Sequence, residues 1–126
     1  MAVVVDASAV AAIMFGEPEG ATLAAHLADE TLLAPTLIDY ELTNLTLKKA
    51  RLQPEMVPQL LLALREALSL PISRIQAPGT DVFVLATTTG LTAYDASYLW
   101  IAQTRDVELV TLDRRLARAA GSEERL

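Results

Sequence analysis

The 126-residue sequence predicts an α/β sandwich built on a mostly parallel sheet. Short β-branched or leucine-rich runs alternate along the chain with helix-length segments that carry their own start and stop signals. The first run, Ala2 to Val5, is continuously apolar rather than alternating, which suits a strand covered on both faces. Hydrophobic residues make up 52% of the chain and charged residues 21%, enough to fill one core. No linker, repeat or biased segment divides the chain, so one domain over residues 1–126 is expected.

Each element has a local reason. Ala2 to Val5 reads as a buried strand ending at Asp6. Ala7 to Phe15 reads as a short helix stopped by Gly16, and Pro18 takes a first-turn position in a second helix to about Ala28. Asp29 and Glu30 turn the chain into a second strand, Thr31 to Ala34. Pro35 and Thr36 start a long helix in which Thr36 and Asp39 have capping-box spacing. Its apolar stripe is Ile38, Leu42, Leu45 and Leu52. Pro54 opens the next helix, through Leu68, with Pro58 in its first turn. Pro71 to Ile75 is a third strand. Pro78 and Gly79 lead into a helix to about Thr89, closed by Gly90. Thr92 and Asp95 repeat the capping-box spacing and begin a helix to about Arg105. Glu108 to Leu112 is a fourth strand, Asp113 opens a last short helix, and Gly121 begins a polar tail.

Composition removes several chemistries. With no cysteine there is no disulfide scaffold, thiolate zinc site or cysteine nucleophile. The single histidine, His26, is the only one through which a serine nucleophile could be activated. It falls on an early amphipathic helix and is read as a surface or core-edge residue without a catalytic role. No Lys or Arg precedes Lys48, so no secretory signal is read, and no apolar stretch reaches membrane-spanning length. A cytoplasmic location is expected. Net charge is −6, and it is unevenly placed: Met1 to Leu47 holds seven acids and no Lys or Arg. Such a chain does not bind phosphate backbones passively over its whole surface, but a local basic strip beside an acidic site remains possible in principle.

Two predicted strands end in aspartate: the first at Asp6 and the fourth at Asp113. Ligands of open parallel sheets bind beyond the carboxyl ends of the strands. If the two strands are neighbours, both carboxylates emerge at one edge. Either Asp alone also reads as the N-cap of the helix that follows it. Asp95, three residues after Thr92, also fits a capping box and the positive end of a helix dipole. Glu41 lies inside a helix, about 60° from Ile38 and about 40° from Leu45. That is the border of the apolar stripe, where a carboxylate costs less when a cation or donor meets it. Asn44 and Lys48 follow on the same flank. Carboxylates gathered in one cleft repel, and a hard divalent ion such as Mg²⁺ or Mn²⁺ relieves that repulsion with oxygen ligands. Ser8, two after Asp6, and Thr111, two before Asp113, either orient these acids or make local turn bonds.

The residues that carry this pattern are Val3-Val4-Val5-Asp6-Ala7-Ser8, Glu41-Leu42-Thr43-Asn44, Leu91-Thr92-Ala93-Tyr94-Asp95-Ala96-Ser97-Tyr98 and Leu109-Val110-Thr111-Leu112-Asp113. In that order they resemble a PIN domain, and most closely the toxin of a VapC-type toxin–antitoxin pair. The resemblance runs over nearly the whole chain and departs at none of the four acids. It implies a three-layer α/β/α PIN-like sandwich with a mostly parallel sheet of about four to five strands. It implies that Asp6, Glu41, Asp95 and Asp113 form a catalytic acidic metal site for Mg²⁺ or Mn²⁺, supported by Ser8, Asn44 and Thr111. It also implies metal-dependent RNA hydrolysis: a metal-activated water attacks phosphorus in line and leaves 5′-phosphate and 3′-hydroxyl ends. An antitoxin protein and a homodimer are the implied partners.

Single-stranded or looped RNA is the expected substrate. Lys48, Lys49 and Arg51 follow Glu41, and Arg114, Arg115 and Arg118 follow Asp113. Both clusters read either as phosphate contacts or as ordinary solvated helix faces; Lys48, Arg114 and Arg115 are the chosen contacts. Tyr94 and Tyr98 share a helix face at spacing four, and with Trp100 they read as core or dimer packing rather than base stacking. A haloacid-dehalogenase-type phosphatase needs a second Asp two residues after the first, where this chain has Ser8. The alternative function is a catalytically silent PIN-like interaction module whose acids serve only as caps.

Overall fold

A strand buried on both faces must satisfy its backbone groups through its neighbours. In the computed structural model, which describes residues 1–121, β1 (Ala2–Val5) is such a strand, and it forms one sheet with β2 (Thr31–Pro35), β3 (Ile72–Ile75) and β4 (Glu108–Val110). Every pairing is parallel, and the order across the sheet is β3-β2-β1-β4. Val3, Val4 and Val5 are all buried, as their continuous apolar character predicts. Val5 stands opposite Val110, and the Asp6 N–H extends that ladder to the Val110 carbonyl at 3.2 Å.

Helices cover the sheet to give the predicted three-layer α/β/α sandwich. Helices α1 (Ala7–Met14), α2 (Gly20–Leu27), α3 (Ile38–Leu52) and α4 (Val57–Leu68) pack together. Helices α5 (Gly79–Thr89), α6 (Ala93–Arg105) and α7 (Arg114–Ala119) form a second group, in which α6 lies on β1, β2 and β4. Ile38 and Leu42 of α3 and Tyr98, Leu99 and Ile101 of α6 are almost wholly buried. Each large apolar side chain so buried contributes roughly 1.5–3 kcal/mol.

The strand order creates the site. From β1 the chain adds β2 and β3 on one side, then returns to place β4 on the other. A reversal of this kind leaves a crevice beyond the carboxyl ends of the two strands that flank it, here β1 and β4.

Some local expectations are corrected. Pro18 lies in the turn before α2, which starts at Gly20. The backbone of Gly20 backs onto α1, where a Cβ would stand 2.6 Å from the Ala12 carbonyl oxygen. Helix α3 has no side-chain cap, because Thr36 donates instead to Gln76 Oε1 at 3.3 Å and Asp39 turns to β3. Leu52, expected in the α3 stripe, is the helix's last residue and is 83% exposed. Thr46 is buried instead, its hydroxyl donating to the Leu42 carbonyl at 2.8 Å. Pro54 opens a 3₁₀ turn over Pro54–Met56 rather than α4 itself, and Pro58 occupies the first turn of α4, where its missing N–H has no helical partner to lose. Strand β4 stops at Val110, leaving Thr111 and Leu112 in the loop to α7. Beyond Gly121, the expected polar tail lies outside the described residues.

Candidate active site

Four acids reach one cavity from four separate elements. Asp6 follows β1, Glu41 stands in the first turn of α3, Asp95 in the first turn of α6, and Asp113 follows β4. Together with Ser8, Asn44, Lys48 and Tyr98 they line a cavity of about 240 Å³ at the carboxyl edge of the sheet. The alternatives left open for Asp6 and Asp113 turn out to be compatible. Asp6 caps α1 by accepting from the Ala9 N–H, and Asp113 caps α7 by accepting from the Leu116 N–H, while both line the cavity. Capping fixes each side chain at the point where its helix begins, which also aims it over the sheet edge. At Asp95 the box is formed from the Thr92 side: the Thr92 hydroxyl accepts the Asp95 N–H at 3.1 Å.

Asp6 is the most constrained of the four. Ser8 donates to its Oδ1 at 2.7 Å, beside the Ala9 N–H at 3.1 Å, and Thr111 donates to its Oδ2. The same two hydroxyls tie the β4–α7 loop to α1. Ser8 Oγ accepts the Leu112 N–H at 3.0 Å, and Thr111 Oγ1 accepts the Asp113 N–H at 2.9 Å. Ser8 and Thr111 therefore do orient an acid, and a rigid set of bonds links Asp6 to Asp113.

Tyr98 is a site residue that the spacing argument missed. Its ring is buried in the core, as expected, but its hydroxyl donates to Glu41 Oε1 and it lines the cavity. The signal was present: Tyr98 lies three residues after Asp95, hence on that acid's helix face. Of the two packing readings, core burial holds for Tyr98 and not for Tyr94. Tyr94 is 65% exposed, because the start of α6 from Ala93 to Tyr94 stands clear of the core. Trp100 packs at the core boundary as expected.

The basic residues divide. Lys48 lines the cavity, and Arg115 donates to the Gly90 carbonyl at 2.8 Å while its charge favours ionised Asp95. Arg114 is exposed and does not line the cavity. Lys49 sits over the Phe15 ring, 4.8 Å from its centroid, so it is a packing cation there. His26 is exposed at the opposite end of β4, with Nε2 3.0 Å from Glu108 Oε1.

Electrostatics set this cluster apart. Burial pushes the Asp6 carboxyl above its ordinary range, opposed by its three hydrogen bonds and reinforced by Asp113. Burial raises Glu41 likewise, opposed by the Tyr98 hydroxyl and reinforced by Asp95 and Asp6. Burial and Asp113 raise Asp95 against Arg115. The Tyr98 phenol is pushed far up, first by its own burial and then by Glu41, so it remains a donor. Each acid would hold its charge more readily beside a cation. The donor set is all oxygen, which suits Mg²⁺ or Mn²⁺. Among the described residues no three acids or histidines form a group that could by itself hold a metal ion. An ion that keeps several waters and takes one or two carboxylates directly does not require one.

The chain and its fold have known relatives. The chain matches the PIN domain family over residues 3–122. It is 37% identical to Ribonuclease VapC3 of Pyrobaculum aerophilum, across 93% of each chain. It is 30% identical to Ribonuclease VapC12 of Mycobacterium tuberculosis, across 94% of this chain and 92% of that one. The crystal structure of PAE2754 from Pyrobaculum aerophilum superposes with a TM-score of 0.77 at 30% identity, covering 97% of this chain and 88% of the other.

Proposed function

The chain belongs to the PIN domain family, in its VapC-type branch, and from that premise we propose that it is a metal-dependent endoribonuclease, the toxin of a toxin–antitoxin pair. The observation that carries the reading is the convergence of Asp6, Glu41, Asp95 and Asp113 from four elements on one cavity at the switch point of the sheet. These four carboxylates are the proposed holders of Mg²⁺ or Mn²⁺. When bound, such an ion supplies charge stabilisation at a phosphoryl group and activation of water.

The chain's own residues do the rest. Ser8, Thr111 and the Ala9 N–H hold Asp6 in one orientation, so its charge is aimed before any ligand arrives. Tyr98 holds Glu41 in the same way and stays protonated while doing so. Asn44 offers an amide at the cavity wall, and Lys48 places a cation there against a phosphate oxygen. Arg115, anchored at Gly90 and acting on the Asp95 charge, is the second proposed phosphate contact, and exposed Arg114 beside it is the third. Single-stranded or looped RNA is the substrate class, because its backbone can enter a cleft of this size. An antitoxin protein and a second copy of the chain are the proposed partners.

The test is cleavage of a labelled single-stranded RNA pool by purified protein in Mg²⁺, in Mn²⁺ and in chelator, with Asp6→Asn prepared identically. Cutting that needs the ion and disappears in Asp6→Asn is the expected result. Cutting that persists in chelator and in the variant overturns the metal-carboxylate reading.

A further inference from the structure

A second cavity opens beside the acidic one. It measures about 400 Å³ and is lined by Leu37, Tyr40, Glu41, Asn44 and Tyr94. Glu41 and Asn44 line both cavities, so the two adjoin. Its character is different: two tyrosines and a leucine stand where the first cavity has Asp6, Asp95 and Asp113, and Glu41 is its one acid. Tyr40 is 82% exposed and Tyr94 65% exposed, an unusual placement for two large aromatic rings. Each directly precedes a site acid, Tyr40 before Glu41 and Tyr94 before Asp95. Successive helical residues point about 100° apart. Each tyrosine is therefore held beside an acid while its ring is turned out of the acidic cavity into the neighbouring one.

A strand of RNA alternates a charged phosphate with a flat, apolar-faced base. The two cavities present the complementary pair: an acidic, cation-competent pocket with Lys48 at its wall, and next to it a mainly aromatic groove that meets the acids only at Glu41. Resting on the ribonuclease reading above, we propose that Tyr40 and Tyr94 form a base-stacking subsite that holds the nucleobase next to the phosphate in the acidic pocket. The rings bind the base by its π-face, so the subsite selects single-stranded over paired RNA, whose bases are not available to stack. Stacking of this kind tolerates every base, and the subsite tightens binding without reading a sequence.

The experiment measures binding and turnover separately. Affinity for a fluorescent single-stranded RNA pool is read by anisotropy with Ca²⁺ present, and kcat and KM with Mg²⁺. The proteins are wild type, Tyr40→Ala/Tyr94→Ala and Tyr40→Phe/Tyr94→Phe. Both rings are exposed, so the variants fold, and their Tm is checked. The expected result is binding weakened roughly 5-fold or more in the alanine variant, the scale of losing one stacked base. KM rises while kcat holds, the phenylalanine variant binds as wild type, and an RNA with abasic positions weakens wild type but not the alanine variant. Wild-type affinity in the alanine variant overturns the subsite and leaves the ribonuclease reading standing. A change in oligomeric state with unchanged RNA affinity overturns it too, and assigns the rings to a contact between copies. A wild-type chain that neither binds nor cuts RNA overturns the subsite together with the reading it rests on.

Discussion

Asp39 and Glu41 stand two residues apart on α3 and have opposite surroundings. Asp39 is gripped by Arg74 of β3, whose Nε lies 3.0 Å from both carboxylate oxygens and whose Nη2 lies 2.7 Å from one of them. The same guanidinium donates to the Ile72 carbonyl at 2.9 Å. That carboxylate has its counter-charge within the chain, and it fastens the start of α3 to the sheet. Glu41 accepts a tyrosine hydroxyl and faces two further carboxylates; burial holds its pKa up, Tyr98 opposes that, and Asp95 and Asp6 add to it. Similar acids on one helix thus do different work. The first is neutralised and structural; the second is kept short of positive charge at the sheet's switch point, where a cation can supply it.

Substitutions can break this contrast, and the largest effect belongs to the acidic cleft. Asp6→Asn keeps the cap of α1, since Asn caps as well as Asp. It should lower kcat for RNA cleavage by at least about 100-fold, as losses of a single aimed electrostatic group do. Thr111→Val comes next. It removes the hydroxyl that orients Asp6, so apparent Mn²⁺ affinity, read from the metal dependence of cleavage, should fall about 10- to 100-fold. Arg74→Ala sharpens the comparison from the other side. It should lower unfolding free energy in urea by about 1 kcal/mol, because the pair is fork-like but partly exposed to screening solvent. Cleavage by the folded Arg74→Ala protein should be unchanged, because neither member of the pair lines the acidic cavity.

How much of this was legible beforehand follows the range of the interactions. The four strands, the alternation with helices and the Gly90 helix stop depend on neighbours in sequence, and they were read directly. Asp6, Asp113 and Asp95 were legible because they sit at strand ends and a helix start, and Glu41 because it borders the apolar stripe of its helix. The family resemblance joined them before any distance was known. Partners distant in sequence were not legible. Nothing local shows that Asp39 would leave its capping role for Arg74, 35 residues away, or that Tyr98 would reach back 57 residues to Glu41. Lys49 belongs to a cluster that reads either as phosphate contacts or as a solvated helix face, and its side chain lies instead on Phe15, 34 residues earlier in the chain. Exposure at the end of α3 was misjudged at Leu52, because periodicity assigns a helix face but not where the core stops.

The contrast between Asp39 and Glu41 reduces to whether Glu41 carries an uncompensated charge that awaits a divalent ion. Glu41→Gln removes the charge and keeps an oxygen for the Tyr98 hydroxyl. Because the folded pKa of Glu41 is raised, its contribution to stability is present below the ordinary value of 4.5 and is lost as pH rises through the raised pKa. In chelator at neutral pH, Glu41→Gln should therefore melt higher than wild type, by about 1–3 °C, and the gain should vanish as pH falls below that value. Saturating Mn²⁺ should stabilise wild type more than the variant and reverse their order. The measurement is the Tm of both proteins at neutral pH, with chelator and with Mn²⁺. Reversal of the order is the predicted result. No gain in chelator, together with an equal or absent response to Mn²⁺, would contradict it.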